Sequence, residues 1–158
     1  MRADKIFYVI GNHETYLGVE KAFQVLKETN VTALDDKMVE INGLQILGIS
    51  YAQDAAKDFK KIAARENYNP DKPCILLYHS PTHLKEAREL GFDLQLSGHT
   101  HLGQLFPFSF ITKLIYGAYD YGLHEIGDFS IYTTNGAGTW GPPMRTGNRP
   151  EIAVFKLE

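Results

Sequence analysis

Three short apolar runs, each ending in a polar cluster that carries histidine, constrain this chain more than any other feature of it. Residues 6–10 lead into Gly11-Asn12-His13-Glu14, residues 75–77 into Tyr78-His79-Ser80-Pro81, and residues 94–96 into Ser97-Gly98-His99-Thr100-His101. Short apolar runs bounded by turn residues read as buried strands. Each cluster then stands at the carboxyl end of a strand, the edge where open α/β sheets bind ligands. Asn12, His13, His79, His99 and His101 are therefore expected to converge. Imidazole and amide donors gathered this way suit a borderline divalent metal such as Mn, Fe or Zn.

The rest of the chain supplies the scaffold for such an edge. Residues 5–10 read as a mostly apolar and hence internal strand, and Gly11 is expected to permit the sharp turn after it. Val19, Ala22, Phe23 and Leu26 recur at i, i+3, i+4, i+7, which predicts a helix over 18–29. Residues 31–34 form a short strand. Residues 38–41 and 44–49 flank Asn42-Gly43, the two-residue signal of a type I′ hairpin. Asp54 is expected to cap a helix running to about residue 67, with Ala55, Phe59, Ile62 and Ala63 buried. Asn69-Pro70-Asp71-Lys72-Pro73 breaks it. Residues 74–78 return as a strand, 80–90 as a helix stopped by Gly91, and 92–96 as a strand. The aromatic stretch 106–121 predicts a long loop with a short helix near 111–115, followed by a hairpin turning at Gly127-Asp128. Residues 152–157 are expected to close as a strand. Helices alternating with strands around a central hairpin predict an α/β layered domain with a mixed sheet.

Composition narrows the function classes. The 158 residues suffice for one domain with a real core, and 44% apolar with 22% charged residues is ordinary for a globular protein. A net charge of -3 argues against wrapping nucleic acid, which favours a basic face. The single cysteine, Cys74, cannot form an internal disulfide and reads as a small residue opening a strand. No targeting segment is visible, and no apolar run approaches the ~20 residues of a spanning helix.

The G-N-H-E cluster, the strand-end His79 and the G-H-T-H cluster resemble, in order and spacing, the C-terminal half of a calcineurin-like metallophosphoesterase. The resemblance implies an α/β/β/α sandwich that is incomplete here, with residues 1–158 forming a single C-terminal portion of the domain. It implies a parent enzyme that hydrolyses phosphomonoesters or phosphodiesters with two divalent ions. Asn12, His79 and His99 take the positions of ligands to one ion, His101 to the other, and His13 that of the catalytic histidine oriented by Glu14. The family's Asp-x-His and Gly-Asp motifs should precede Gly11, where Asp4 is the sole acid. At most one well-formed metal site is therefore expected, with weak or no activity from the chain alone. The run G-H-T-H-L-G-Q and the later R-T-G-N-R-P-E-I further resemble a bacterial, often membrane-associated branch acting on phosphodiesters or pyrophosphates. By that resemblance the parent is cytoplasmic or membrane-associated, meeting a membrane surface through its N-terminal part.

Other residues stand outside these clusters. Arg145, in a Gly/Pro loop, either grips a substrate phosphate bidentately or pairs with Glu151. Trp140 and residues 106–110 either shape a pocket for an apolar substrate group, touch a membrane, or pack the loop on the sheet. His83, four residues after His79 but beyond Pro81, reads as structural, as does His124. Two rivals to the enzyme stand: a non-catalytic interaction scaffold and a single-metal binding module. Unpaired sheet edges predict a dimer or domain-swapped oligomer.

Overall fold

The computed structural model describes residues 4–52 and 57–157. Its first strand, β1 (Ile6–Tyr8), pairs in parallel only with β2 (Val31–Ala33), and Ile6 is exposed. The expected internal strand over 5–10 is corrected accordingly. The apolarity of this run reflects Ile10, which is buried beyond the ladder and accepts a hydrogen bond from Tyr51 N at 2.9 Å. Two helices connect β1 to β2. The shorter, α1 (Asn12–Leu17), was not legible as a helix; the Glu14 carboxylate closes its start by accepting from Gly11 N at 2.8 Å. In α2 (Val19–Leu26), Val19, Ala22, Phe23 and Leu26 are the half-buried residues, as the helical period requires.

Asn42 and Gly43, with φ of 51° and 87°, turn β3 (Lys37–Ile41) back onto β4 (Leu44–Ile49) as predicted. The next helix, α3 (Phe59–Arg65), begins later than expected. Asp58 caps it, accepting from Lys61 N, whereas Asp54 and Ala55 lie outside the described residues. Strand β5 (Cys74–Tyr78) follows, then α4 (Leu84–Glu89), β6 (Leu94–Ser97), α5 (Ser109–Tyr116), β7 (Gly122–Ile126) and β8 (Phe129–Thr133). The strands form a six-stranded mixed sheet in the order β3-β4-β5-β6-β8-β7, parallel at its centre, with an antiparallel hairpin at each edge.

One face of this sheet carries the core. Leu47, Ile49, Cys74, Leu76, Tyr78, Phe129 and Ile131 pack there against Phe59, Ile62 and Ala63 of α3 and Ala87 of α4. His83 belongs to this core edge: it precedes α4 in the left-handed region and stacks on Phe59 at 4.7 Å, a structural role. On the opposite face, Ile46, Ile75, Leu77, Leu94 and Leu96 are only half-buried. The β1–β2 pair lies over part of that face; Leu34 sits against Gly48, where an added Cβ would fall 2.3 Å from the Leu34 Cβ. Residues 152–157 form no strand and join neither sheet, correcting that expectation. Glu151 anchors this segment instead, accepting from the hydroxyls of Tyr121, Tyr132 and Thr134.

Candidate functional site

The parallel register brings the strand ends level, with Ile49 beside Tyr78, Leu77 beside Leu96, and Ser97 beside Thr133. The residues that follow therefore emerge on one edge. His79 Nε2 lies 2.7 Å from Asn12 Oδ1 and 3.0 Å from His99 Nδ1, and His99 Nδ1 lies 3.3 Å from Asn12 Oδ1. Three atoms with lone pairs thus face one another. Gly11 is necessary to this packing for a reason other than the one expected. Its φ of -103° suits any residue, but a Cβ there would fall 2.9 Å from the His79 ring.

Burial pushes the His79 pKa down to about 4, with the nearby His99, His13 and His101 adding to the drop and Glu14 opposing it. His99 is lowered by burial and then by His13. His101 is lowered by burial, then by the Arg145 guanidinium, His13 and His99. Near neutral pH these imidazoles are uncharged lone-pair donors, the form that ligates metals.

The backbone turns sharply through G-H-T-H, and the histidines themselves make the turn. His99 (φ 70°), His101 (49°), Leu102 (48°) and Gln104 (53°) all occupy positive φ, whereas Gly98 does not. Each such non-glycine residue costs about 1 kcal/mol or more, and surrounding bonds must hold it. Thr100 Oγ1 donates to Asp120 O at 2.7 Å, and Asn148 Nδ2 donates to the carbonyls of His101 and Leu102. Gln104, fully buried, accepts from Trp140 N at 2.7 Å and donates to Trp140 O at 2.8 Å.

His13 is exposed, with its ring edge-on to Tyr16 at 6.2 Å. It lines a cavity of about 290 Å³ together with Asn12, Tyr16, His99, His101 and Trp140. Glu14 does not serve it: the carboxylate bonds Gly11 N and the Tyr8 hydroxyl. Arg145 is held within its own loop and beside His101. It is not paired with Glu151; its guanidinium donates to Asn148 Oδ1 and the carbonyls of Asn135, Gly136 and Gly138, and lies 3.4 Å from His101 Nδ1. Its charge is met by neutral acceptors, with no carboxylate ion pair among the described residues. His124 bonds the Tyr121 carbonyl in β7, away from the site.

Sequence reasoning missed Tyr51 and Tyr116. Tyr51 stacks on His99 at 5.9 Å and stands edge-on to His79 at 5.8 Å. Tyr51 follows the carboxyl end of β4, so the strand-end rule applied to that strand would have found it. Tyr116, edge-on to His99 at 6.0 Å, closes α5 and carried no such signal.

The donor set fits one borderline cation. Ligand bonds near ~2.1 Å place adjacent donors about 3 Å apart, matching the spacing of Asn12, His79 and His99. Among the described residues no group of three or more His, Cys, Asp or Glu side chains is placed to hold a metal ion, so the set reaches three donors only by counting the Asn12 amide oxygen. Glu14, the carboxylate whose charge reaches His79, is already engaged.

A mixed α/β sheet with neutral imidazoles gathered at its carboxyl edge defines the structural class. Comparison with known proteins supplies the family. Over 158 residues the chain is 40% identical to an uncharacterized metallophosphoesterase of Helicobacter pylori (strain J99), covering 96% of this chain and 42% of that protein. It is 33% identical over 159 residues to an uncharacterized metallophosphoesterase of Aquifex aeolicus, covering 96% of this chain and 60% of that protein. It is 30% identical over 171 residues to a Bos taurus transmembrane protein with metallophosphoesterase domain, covering 96% and 38% respectively. The chain thus spans less than two thirds of the length of these relatives. No protein-family model matches it, and no solved structure matches it significantly. The chain belongs to the calcineurin-like metallophosphoesterase superfamily.

Proposed function

We propose that this chain carries part of the active site of a metal-dependent phosphoester hydrolase acting on phosphodiesters or phosphomonoesters. The convergence of Asn12 Oδ1, His79 Nε2 and His99 Nδ1 within 2.7–3.3 Å of one another carries the reading. These three residues would hold a divalent ion, Mn, Fe or Zn. A divalent ion supplies Lewis acidity at a phosphoryl oxygen and acidifies water. His13, exposed on the same cavity, would give a proton to the leaving alkoxide. Arg145 lends positive charge beside His101 and favours an anionic substrate, although its donors are largely held by loop carbonyls. His101 would contribute to a second ion, and that dinuclear form requires a bridging carboxylate from outside the described set.

Partners and location follow as proposals. The open edges of β3 and β7 and the half-covered sheet face favour association with a second copy. No helix of the described residues is long and apolar enough to cross a membrane. The bovine relative's name places it in a membrane, and we extend membrane association to the whole protein on that ground alone.

Equilibrium dialysis against Mn²⁺ and separately Zn²⁺ tests the site. About one ion per chain, lost in His79→Ala, is the expected result, after which aryl phosphodiester hydrolysis is assayed. A chain that binds neither ion would overturn the metal reading. The missing carboxylate would then favour the rival reading, a non-catalytic interaction scaffold.

A further inference from the structure

A cavity of about 850 Å³, larger than the one that holds the histidines, opens between α5, the turn before β7 and residues 146–148. Asn12, His13, His79, His99 and His101 are all absent from its lining, so it stands apart from the site above. Two opposite charges line it and do not meet. Asp120 is only 7% exposed, yet it has no cationic partner among the described residues. Its one side-chain bond is long, 3.4 Å from Thr112 Oγ1, a hydroxyl that also donates to Ser109 O at 3.1 Å. A carboxylate so far out of water is ordinarily met by a cation or by several donors. Lys113, exposed on the same wall, makes no ion pair among the described residues either. The His124 ring, also in the lining, is engaged with the Tyr121 carbonyl. Aromatic rings complete the wall. Phe106 and Phe110 stand edge-on at 6.0 Å and are 68% and 66% exposed, and Tyr121 is tied down by its hydroxyl on Glu151.

We infer that this cavity is a second ligand site, and that its ligand is a zwitterion with an aromatic side chain, an aromatic amino acid or a short peptide. The ammonium group meets Asp120 and supplies the charged donor that this buried carboxylate lacks. The carboxylate meets Lys113, and the ring lies against Phe106 and Phe110. A ligand bearing one charge alone leaves either Asp120 or Lys113 unanswered, so the pair selects for both. The volume lies within the range of small-molecule sites and leaves room for more than one residue. Such a ligand needs no metal ion, since none of the residues proposed to hold one lines the cavity.

The full chain, freed of metal with a chelator, is titrated calorimetrically with phenylalanine and with phenylalanylphenylalanine. At least one is expected to bind, and at least about tenfold tighter than its N-acetyl and C-terminal amide forms, each of which lacks one charge. Asp120→Asn keeps the shape of the side chain and should erase the preference for the free amine. Lys113→Met, at an exposed position, should erase the preference for the free carboxylate. Should Asp120→Asn fail to fold, the Lys113 variant and the blocked ligands decide the matter between them. Adding Mn²⁺ should leave the affinity unchanged. Silence with both probes overturns the site, as does equal affinity for the free and blocked forms, and the phosphoester reading then stands untouched. Binding that requires Mn²⁺ also overturns it, because the ligand then sits among the histidines.

Discussion

Gly11 shows how a single hydrogen can decide a site. Its backbone is extended and unstrained, yet the space a methyl would need is filled by the His79 imidazole, 2.9 Å from the Cβ position. Gly11→Ala should fold, because the obstacle is one side chain. The ring must move, and a displaced ligand typically loses about tenfold or more in metal affinity. Calorimetric titration with Mn²⁺ checks this; undiminished affinity would show that His79 does not need its present seat. The sequence showed that a glycine stood before Asn12 but not why. It takes a contact across 68 positions, to a ring on another strand, to distinguish lack of space from freedom of φ.

Among the elements, the segment after β8 depends on one carboxylate. Glu151 takes bonds from Tyr121, Tyr132, Thr134 and Asn135 N. Partial burial pushes its pKa up, but these bonds outweigh burial and hold it below the ordinary carboxylate value. Its stabilisation is therefore fully present above the unfolded carboxylate pKa. It is lost as pH falls through the depressed folded value. Thermal melts from neutral to acid pH should show a falling midpoint in the wild type and a shallower fall in Glu151→Gln. Parallel slopes would mean that Glu151 does not link this segment to the sheet. No strand forms over 152–157, because an apolar run reports only what a segment could bury. Whether an edge is offered to it is a property of the sheet.

At the scale of the whole molecule, one sheet face is packed and the other is not. Helices α3 and α4 cover the first, whereas Ile46, Ile75, Leu77, Leu94 and Leu96 on the second remain half-buried. A half-dry apolar face beside open edge strands favours self-association. Sedimentation equilibrium should reveal a dimer whose fraction rises with protein concentration and falls with mild detergent. A single monomeric species throughout the accessible range would count against it.

The alternation of strands and helices, the Asn42-Gly43 hairpin and the siting of Asn12, His79 and His99 at strand ends were all legible in the sequence. Each depends on local periodicity or on turn chemistry a few residues long. The small separate β1–β2 sheet, the strained turn through His99 and His101, the clamp of Gln104 on Trp140 and the engagement of Glu14 with Tyr8 were not. These rest on which distant groups meet, and the same local pattern is compatible with many such meetings. The chain's own residues thus determined where a site could stand; only the packing of strands beside one another decided which atoms face each other within it.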